Sequence, residues 1–328
     1  MIAFGPVPSR RLGRSLGINH IPPKDCTYSC VYCQVGRTLR LRDDRRNFRS
    51  PSEVVGAVAN KLEAARRAGE PVDYLTFVPD GEPTLDRSLG PMIRLLRPLG
   101  IPVAVVTNGS LLHRDDVREA LFEADFVSVK VDTVDEARWR QVNRPHGRLR
   151  LERVLEGMKA FAAAYPGRMV TETMLLAGVT DDEAELRATA SFIGRLDPER
   201  AYLAVPTRPP VESWVRPASP ASVARAYEVF RALAGRVELL VGYEGDAFAA
   251  TGDAAQDLLS IAAVHPMRER AVSRFLTRAG ASRRIVEDLV RRGDLVRVHY
   301  GGHAYFVRPV PAAAGGDATG GGGREGAG

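Results

Sequence analysis

Every cysteine of this 328-residue chain falls within the eight-residue stretch Cys26-Thr27-Tyr28-Ser29-Cys30-Val31-Tyr32-Cys33. Three cysteines on one short loop do not make a disulfide framework, which needs an even number. Three thiolates so placed suit three irons of a [4Fe–4S] cluster, whose full ligand set is four. The fourth iron would then stay open to a small molecule. Two other readings stand beside this one. The first is a structural zinc site completed by His20 or another histidine, although such sites are commonly built from two separated ligand pairs. The second is a trio of core cysteines, against which Lys24, Thr27 and Ser29 make the loop polar.

The rest of the chain reads as strands alternating with helices. A turn-rich entry at Pro8–Gly13 leads to a first strand over Ser15–Ile21, and Pro22-Pro23 delivers the chain to Cys26. A basic loop then carries Arg37, Arg40, Arg42, Arg45, Arg46 and Arg49. It reads as a solvated surface, with substrate contact as the alternative. Strands are predicted over 73–78, 103–106, 126–131, 169–176 and 201–205, with an added edge strand over 237–241. Helices are predicted over 50–69, 86–99, 114–123, 135–142, 151–165, 181–196 and 221–234. Ser50-Pro51-Ser52-Glu53 gives the first of these a cap, a proline in its first turn and an acid beside it. Alternating βα units with short connections build a parallel sheet.

Beyond residue 250 the pattern changes to helices over 253–263, 267–279 and 282–291. Two β-rich runs, 294–300 and 303–307, follow around Gly301-Gly302 and read as a hairpin. Three helices and a hairpin form a winged-helix pattern. The module carries a net charge of about +5, which suits either a nucleic acid or a protein partner. The domain reading is therefore 1–250 for the α/β unit, 251–310 for a small winged-helix-like domain, and 311–328 for a glycine-rich disordered tail.

Composition adds little: the net charge is +6 and 45% of residues are hydrophobic. No apolar run approaches the ~18 residues of a membrane span, and Met1–Pro6 lacks the pattern of a signal peptide. Clustered cysteines with none elsewhere point to a reducing cytoplasm.

The spacing C-x3-C-x2-C, with Tyr32 before the last cysteine, resembles the signature of the radical S-adenosylmethionine (SAM) superfamily. The resemblance implies a partial (β/α)6 barrel, a [4Fe–4S] cluster held by Cys26, Cys30 and Cys33, and SAM at the open iron. It implies reductive cleavage of SAM to a 5′-deoxyadenosyl radical that takes hydrogen from a substrate, and an electron donor such as a flavodoxin or ferredoxin. Asp80-Gly81-Glu82 resembles the superfamily's Gly-Gly-Glu motif with its first glycine replaced, so Gly81 and Glu82 are expected to receive the methionine amino group. Tyr32 is expected near the adenine, and Asn108, Lys130 and Glu172, by strand position, beside the amino acid or ribose. In a parallel barrel such residues gather at the carboxyl ends of the strands.

Phe4–Gly13, the cysteine segment and Gly81–Leu85 further resemble a branch of iron–sulfur oxidoreductases grouped with tRNA wyosine-synthase-like proteins. The tricyclic-base synthase of that branch holds a second cluster on upstream cysteines, and this chain has no further cysteine to hold one. RNA or protein are the substrate classes the resemblance and the basic module suggest. No catalytic residue can be named. The alternative reading is a winged-helix nucleic-acid-binding protein whose cluster is a sensor or a structural staple.

Overall fold

The computed structural model describes residues 1–242 and 245–309. The tail expected to be disordered lies outside these residues. The chain opens with strands β1 (Ala3–Ser9) and β2 (Gly13–Ile18), followed by the two-residue strands β3 (Asp25–Cys26) and β4 (Arg40–Leu41). Helix α1 (Pro51–Arg67) then starts at Ser50, whose side chain accepts a hydrogen bond from the Glu53 amide. From there strand and helix alternate. The first part runs β5 (Tyr74–Phe77), α2 (Leu89–Leu96), β6 (Val103–Thr107), α3 (Asp115–Leu121) and β7 (Phe126–Lys130). The second runs α4 (Glu136–Val142), α5 (Leu151–Ala164), β8 (Arg168–Met174), α6 (Glu183–Leu196), β9 (Arg200–Ala204), α7 (Pro220–Ala234) and β10 (Val237–Leu240). Asp135, Asp182 and Ser219 cap α4, α6 and α7 with their side chains, so each helix begins where the sequence offers an oxygen acceptor.

These strands form one eight-stranded sheet in the order β1-β2-β5-β6-β7-β8-β9-β10. Pairing is parallel from β2 to β10 and antiparallel only between β1 and β2. The expected run of six parallel strands is present, extended by β10. The expected turn-rich entry is present as the turn at residues 10–12, and ahead of it lies β1, a strand the sequence reading does not include. Its two prolines hide it from periodicity, and they are tolerated because β1 is an edge strand. Central strands such as Val103–Thr107 are buried along most of their length, as a sheet covered on both faces requires.

The last segment contains α8 (Ala254–Val264), β11 (Met267–Arg268), α9 (Glu269–Arg278), α10 (Arg284–Arg291), β12 (Val296–Tyr300) and β13 (His303–Val307). The helix expected over 267–279 thus begins two residues later, because Met267 and Arg268 pair with Phe306 and Tyr305. The three strands form an antiparallel sheet in the order β11-β13-β12. This segment does not hang on a linker. Phe4 and Val7 of β1 share one apolar cluster with Phe248, Ile261, Phe275 and Phe306. A buried pair, Lys61 Nζ to Asp257 Oδ1 at 2.5 Å, bridges α1 to α8.

His20 illustrates how burial sets protonation. Its ring is 0% exposed and sits edge-on to Phe77 with centroids 4.9 Å apart. Burial pushes its pKa down to about 4. The unfolded chain binds a proton near pH 6.5 and the folded chain does not until about pH 4. Stability is therefore full above the unfolded value and is lost as pH falls between the two. Lowering pH from 7 to 5 is expected to cost ~2 kcal/mol through this group. Denaturant titrations at the two pH values should show that loss, and His20→Leu should reduce it.

Candidate active site

The carboxyl ends of β2, β5, β6, β7, β8 and β9 open into one cavity of about 290 Å³ that contains all three cysteines. The cysteine loop is pinned to the barrel by backbone bonds. Ser29 N donates to Asn143 O at 2.9 Å and Val31 N to Val142 O at 2.9 Å. Lys24, in a left-handed conformation at φ 61°, accepts at its carbonyl from the amides of Leu39 and Arg40 and so closes the loop from the other side.

Each sulfur faces a donor. Cys26 Sγ faces the Tyr28 amide at 3.5 Å and Asn108 Nδ2 at 3.7 Å. Cys30 Sγ faces Asn143 Nδ2 at 3.5 Å. Cys33 Sγ faces the ammonium of Lys24, a side chain only 2% exposed, at 3.3 Å. Donors aimed at sulfur stabilise thiolate ligands and tune the metal they hold. Burial raises the Cys26 thiol and pushes Cys30 up to about 12, with Asp132 adding to the effect at Cys30. Such thiols lose their protons to a metal rather than to water.

Among the described residues no three His, Cys, Asp or Glu side chains converge on a single metal ion. His20 packs edge-on to Phe77 and joins no such group with the cysteines, which speaks against it as the fourth ligand of a zinc site. Thiols that line one cavity without converging on one point suit a polynuclear cluster, in which each takes its own iron.

Gly81 and Glu82 lie against this loop. A Cβ on Gly81 would stand 1.9 Å from the Asp25 carbonyl oxygen, so only glycine allows the approach. The Glu82 amide then donates to that same carbonyl at 3.0 Å. The Glu82 side chain departs from the expectation that it is held out to a ligand. It is 1% exposed, and four donors take up its carboxylate. These are Thr84 N at 3.0 Å, Thr84 Oγ1 at 2.6 Å, Thr107 Oγ1 at 2.6 Å and Asn108 N at 2.8 Å. Glu82 therefore ties the turn after β5 to the end of β6. Burial raises its pKa, and the hydrogen bonds oppose that rise.

Asn108 faces the cysteine loop, donating from Nδ2 to Thr27 Oγ1 at 2.7 Å. The following Gly109 has φ +72°, and a Cβ there would meet Met158 and Val129 below 3 Å. Lys130 and Glu172, cross-strand partners on β7 and β8, form an ion pair at 2.9 Å. Arg11 pairs with the other oxygen of Glu172. Lys130 Nζ stands 4.7 Å over the Tyr32 ring, and the Tyr32 hydroxyl donates to Asp132. All six expected contact residues line the same cavity.

Three neighbours have no role assigned by the sequence reading, although it places Asp132 with Lys130 at a strand end. Asp132 accepts from Tyr32 and from Asn143 Nδ2 at 2.7 Å, and so joins the aromatic position to the donor on Cys30. Asp132 stands just past a strand end, which was a usable signal. Asn143, after a short helix, and Lys24, in a polar loop, carried none.

Each arginine of the basic loop has an acidic partner. Arg37 pairs with Glu212, Arg40 and Arg42 with the buried Asp25, Arg45 with Asp116, Arg46 with Asp44, and Arg49 with Glu53.

Residues 21–190 match the family model of the radical SAM superfamily. The chain belongs to the radical SAM superfamily and is an enzyme of that class. A UPF0026 protein of Methanocaldococcus jannaschii is 43% identical over 311 residues, covering 94% of this chain and 96% of the relative. A UPF0026 protein of Helicobacter pylori is 32% identical, covering 63% of this chain and 67% of its own length. Among solved structures, a radical SAM methyltransferase from Sphaerobacter thermophilus superposes with a TM-score of 0.55 at 17% identity, over 69% of this chain and 66% of that one. The cofactors of the superfamily are a [4Fe–4S] cluster and SAM. No helix among the described residues is long and apolar enough to cross a membrane.

Proposed function

We propose that this enzyme holds a [4Fe–4S] cluster on Cys26, Cys30 and Cys33 and binds SAM in the cavity beside it. The observation that carries the reading is the shared cavity, in which each sulfur has a donor and the barrel's polar strand ends surround them. When bound, the reduced cluster supplies the electron that splits SAM to methionine and a 5′-deoxyadenosyl radical. The chain's own part is positioning. Asn108, Asn143 and Lys24 orient the sulfurs. Gly81 and Glu82 shape the turn whose backbone carbonyls face the methionine amino group. Lys130, already aligned by Glu172, offers its ammonium to the carboxylate, and Tyr32 walls the adenine side. Glu172 can also accept from a ribose hydroxyl. A reductant of the flavodoxin or ferredoxin kind delivers the electron.

The element order α8-β11-α9-α10-β12-β13 supports reading the last segment as a winged-helix-like module, and Gln34 beside the cysteines donates to Val264 O at 3.3 Å, which brings the end of α8 to the cavity. Its outer arginines are largely matched by acids. Arg270 and Arg274 face Asp246, Arg278 faces Glu70, and Arg283 and Arg297 share Glu269, while Arg291 faces Asp288 and Arg292 faces Asp294. That matching speaks against the alternative of a nucleic-acid-binding protein whose cluster is a sensor or a structural staple. The test is anaerobic reconstitution with iron and sulfide, followed by reduction with SAM. Formation of 5′-deoxyadenosine is expected from the wild type and should drop about tenfold or more in Lys130→Ala, since one charge-assisted contact is lost. A reconstituted protein that forms none overturns the reading.

A further inference from the structure

A second cavity, of about 740 Å³, lies between the loop after β9 and the β12–β13 hairpin. It shares the segment 205–207 with the cluster cavity, so one wall separates the two. The hairpin is fixed to that wall by two phenols: Tyr300 donates to Pro206 O at 3.0 Å and Tyr305 to Thr207 O at 2.9 Å. Arg268 Nε in turn donates to the Tyr305 hydroxyl at 3.1 Å.

The polar lining is cationic or neutral. Arg216, His299 and His303 face the cavity, and no carboxylate belongs to the described residues that line it. Arg216 is held by neutral acceptors, the carbonyls of Ser213 and Val215 at 2.5 and 3.0 Å. Its charge also reaches Tyr300 and opposes the rise that burial gives that phenol. This contrasts with the module's outer arginines, most of which are matched by acids.

We infer that this groove is a phosphate-binding site of the substrate, whose reacting part passes over the 205–207 wall to the cluster cavity. Resting on the enzyme reading above, the inference gives the substrate class as a phosphate ester. The donors come from two elements and from different directions. A tetrahedral phosphate, with several oxygens, takes donors from several sides, whereas a planar carboxylate is satisfied by one bidentate guanidinium. The ester could be a free small molecule or part of a single-stranded nucleic acid. Both present the same phosphate chemistry.

The test uses the reconstituted full chain with SAM and titrates inorganic pyrophosphate and, separately, a short single-stranded RNA at low salt. At least one probe should bind, and Arg216→Ala should weaken it at least tenfold. Arg216→Lys should fall between, and Arg291→Ala, on the outer face of α10, should leave binding unchanged. Binding of RNA alone assigns the site to a polynucleotide, and binding of pyrophosphate assigns it to a small ester. If Arg216→Ala fails to keep its cluster absorbance, Arg216→Lys and His303→Gln decide, each being expected to weaken binding. The inference is overturned if neither probe binds, or if Arg216→Ala and Arg291→Ala weaken binding equally. SAM cleavage by the wild type is measured in the same preparation. Cleavage without probe binding removes the groove alone, and absence of cleavage removes the enzyme reading.

Discussion

Cys30→Ala, reconstituted anaerobically, should yield a folded protein with no brown chromophore and no 5′-deoxyadenosine. Cys30 is the middle of the three proposed ligands, and its sulfur is the one joined through Asn143 to Asp132 and Tyr32. Without it only two thiolates remain in the cavity, half of a full ligand set. The loss should exceed the ~10–100-fold typical of outer partners of a metal site. Folding should survive, because the loop is anchored through the amides of Ser29 and Val31 and not through the sulfur. Iron content and product chromatography read the result. Wild-type iron in this variant would mean that the ligands lie elsewhere.

Glu82→Ala should destabilise the protein by about 3 kcal/mol, because it leaves buried donors unmatched. The orphaned groups are the amides of Thr84 and Asn108 and the hydroxyls of Thr84 and Thr107. Glu82→Gln keeps one acceptor oxygen and should cost less. The midpoint of denaturant unfolding measures the effect, and a parallel SAM titration assigns its origin. An unchanged midpoint with weakened SAM binding would make Glu82 a ligand contact and not a staple.

The contrast between Glu82 and the cysteines shows what the sequence could carry. The cysteine loop was legible because three thiols in eight residues have few uses, and the structure places them in one cavity. The parallel strands were legible as apolar runs with polar residues just beyond their ends, as at Val103–Thr107 and Asn108. Glu82 was legible as part of the site but not in its bonding, since Thr107 is 25 residues away and only the fold brings it near. The partners of the basic loop were illegible for the same reason. Arg40 and Arg42 meet Asp25 across a two-residue parallel bridge that no local pattern announces. Strand β1 was hidden by its prolines, and the strand Met267–Arg268 exists only because Tyr305 and Phe306 lie opposite it. The groove near Arg216 joins segments some 80 residues apart and had no signature at all.

The central claim is that three cysteines hold a cluster whose remaining iron is open to SAM. Electron paramagnetic resonance of the reduced, reconstituted protein, recorded with and without SAM, tests it directly. One [4Fe–4S] signal per chain is expected, and SAM should change that signal by binding at the open iron. A chain that takes up zinc in place of iron, or a cluster signal that SAM leaves unaltered, would contradict the account.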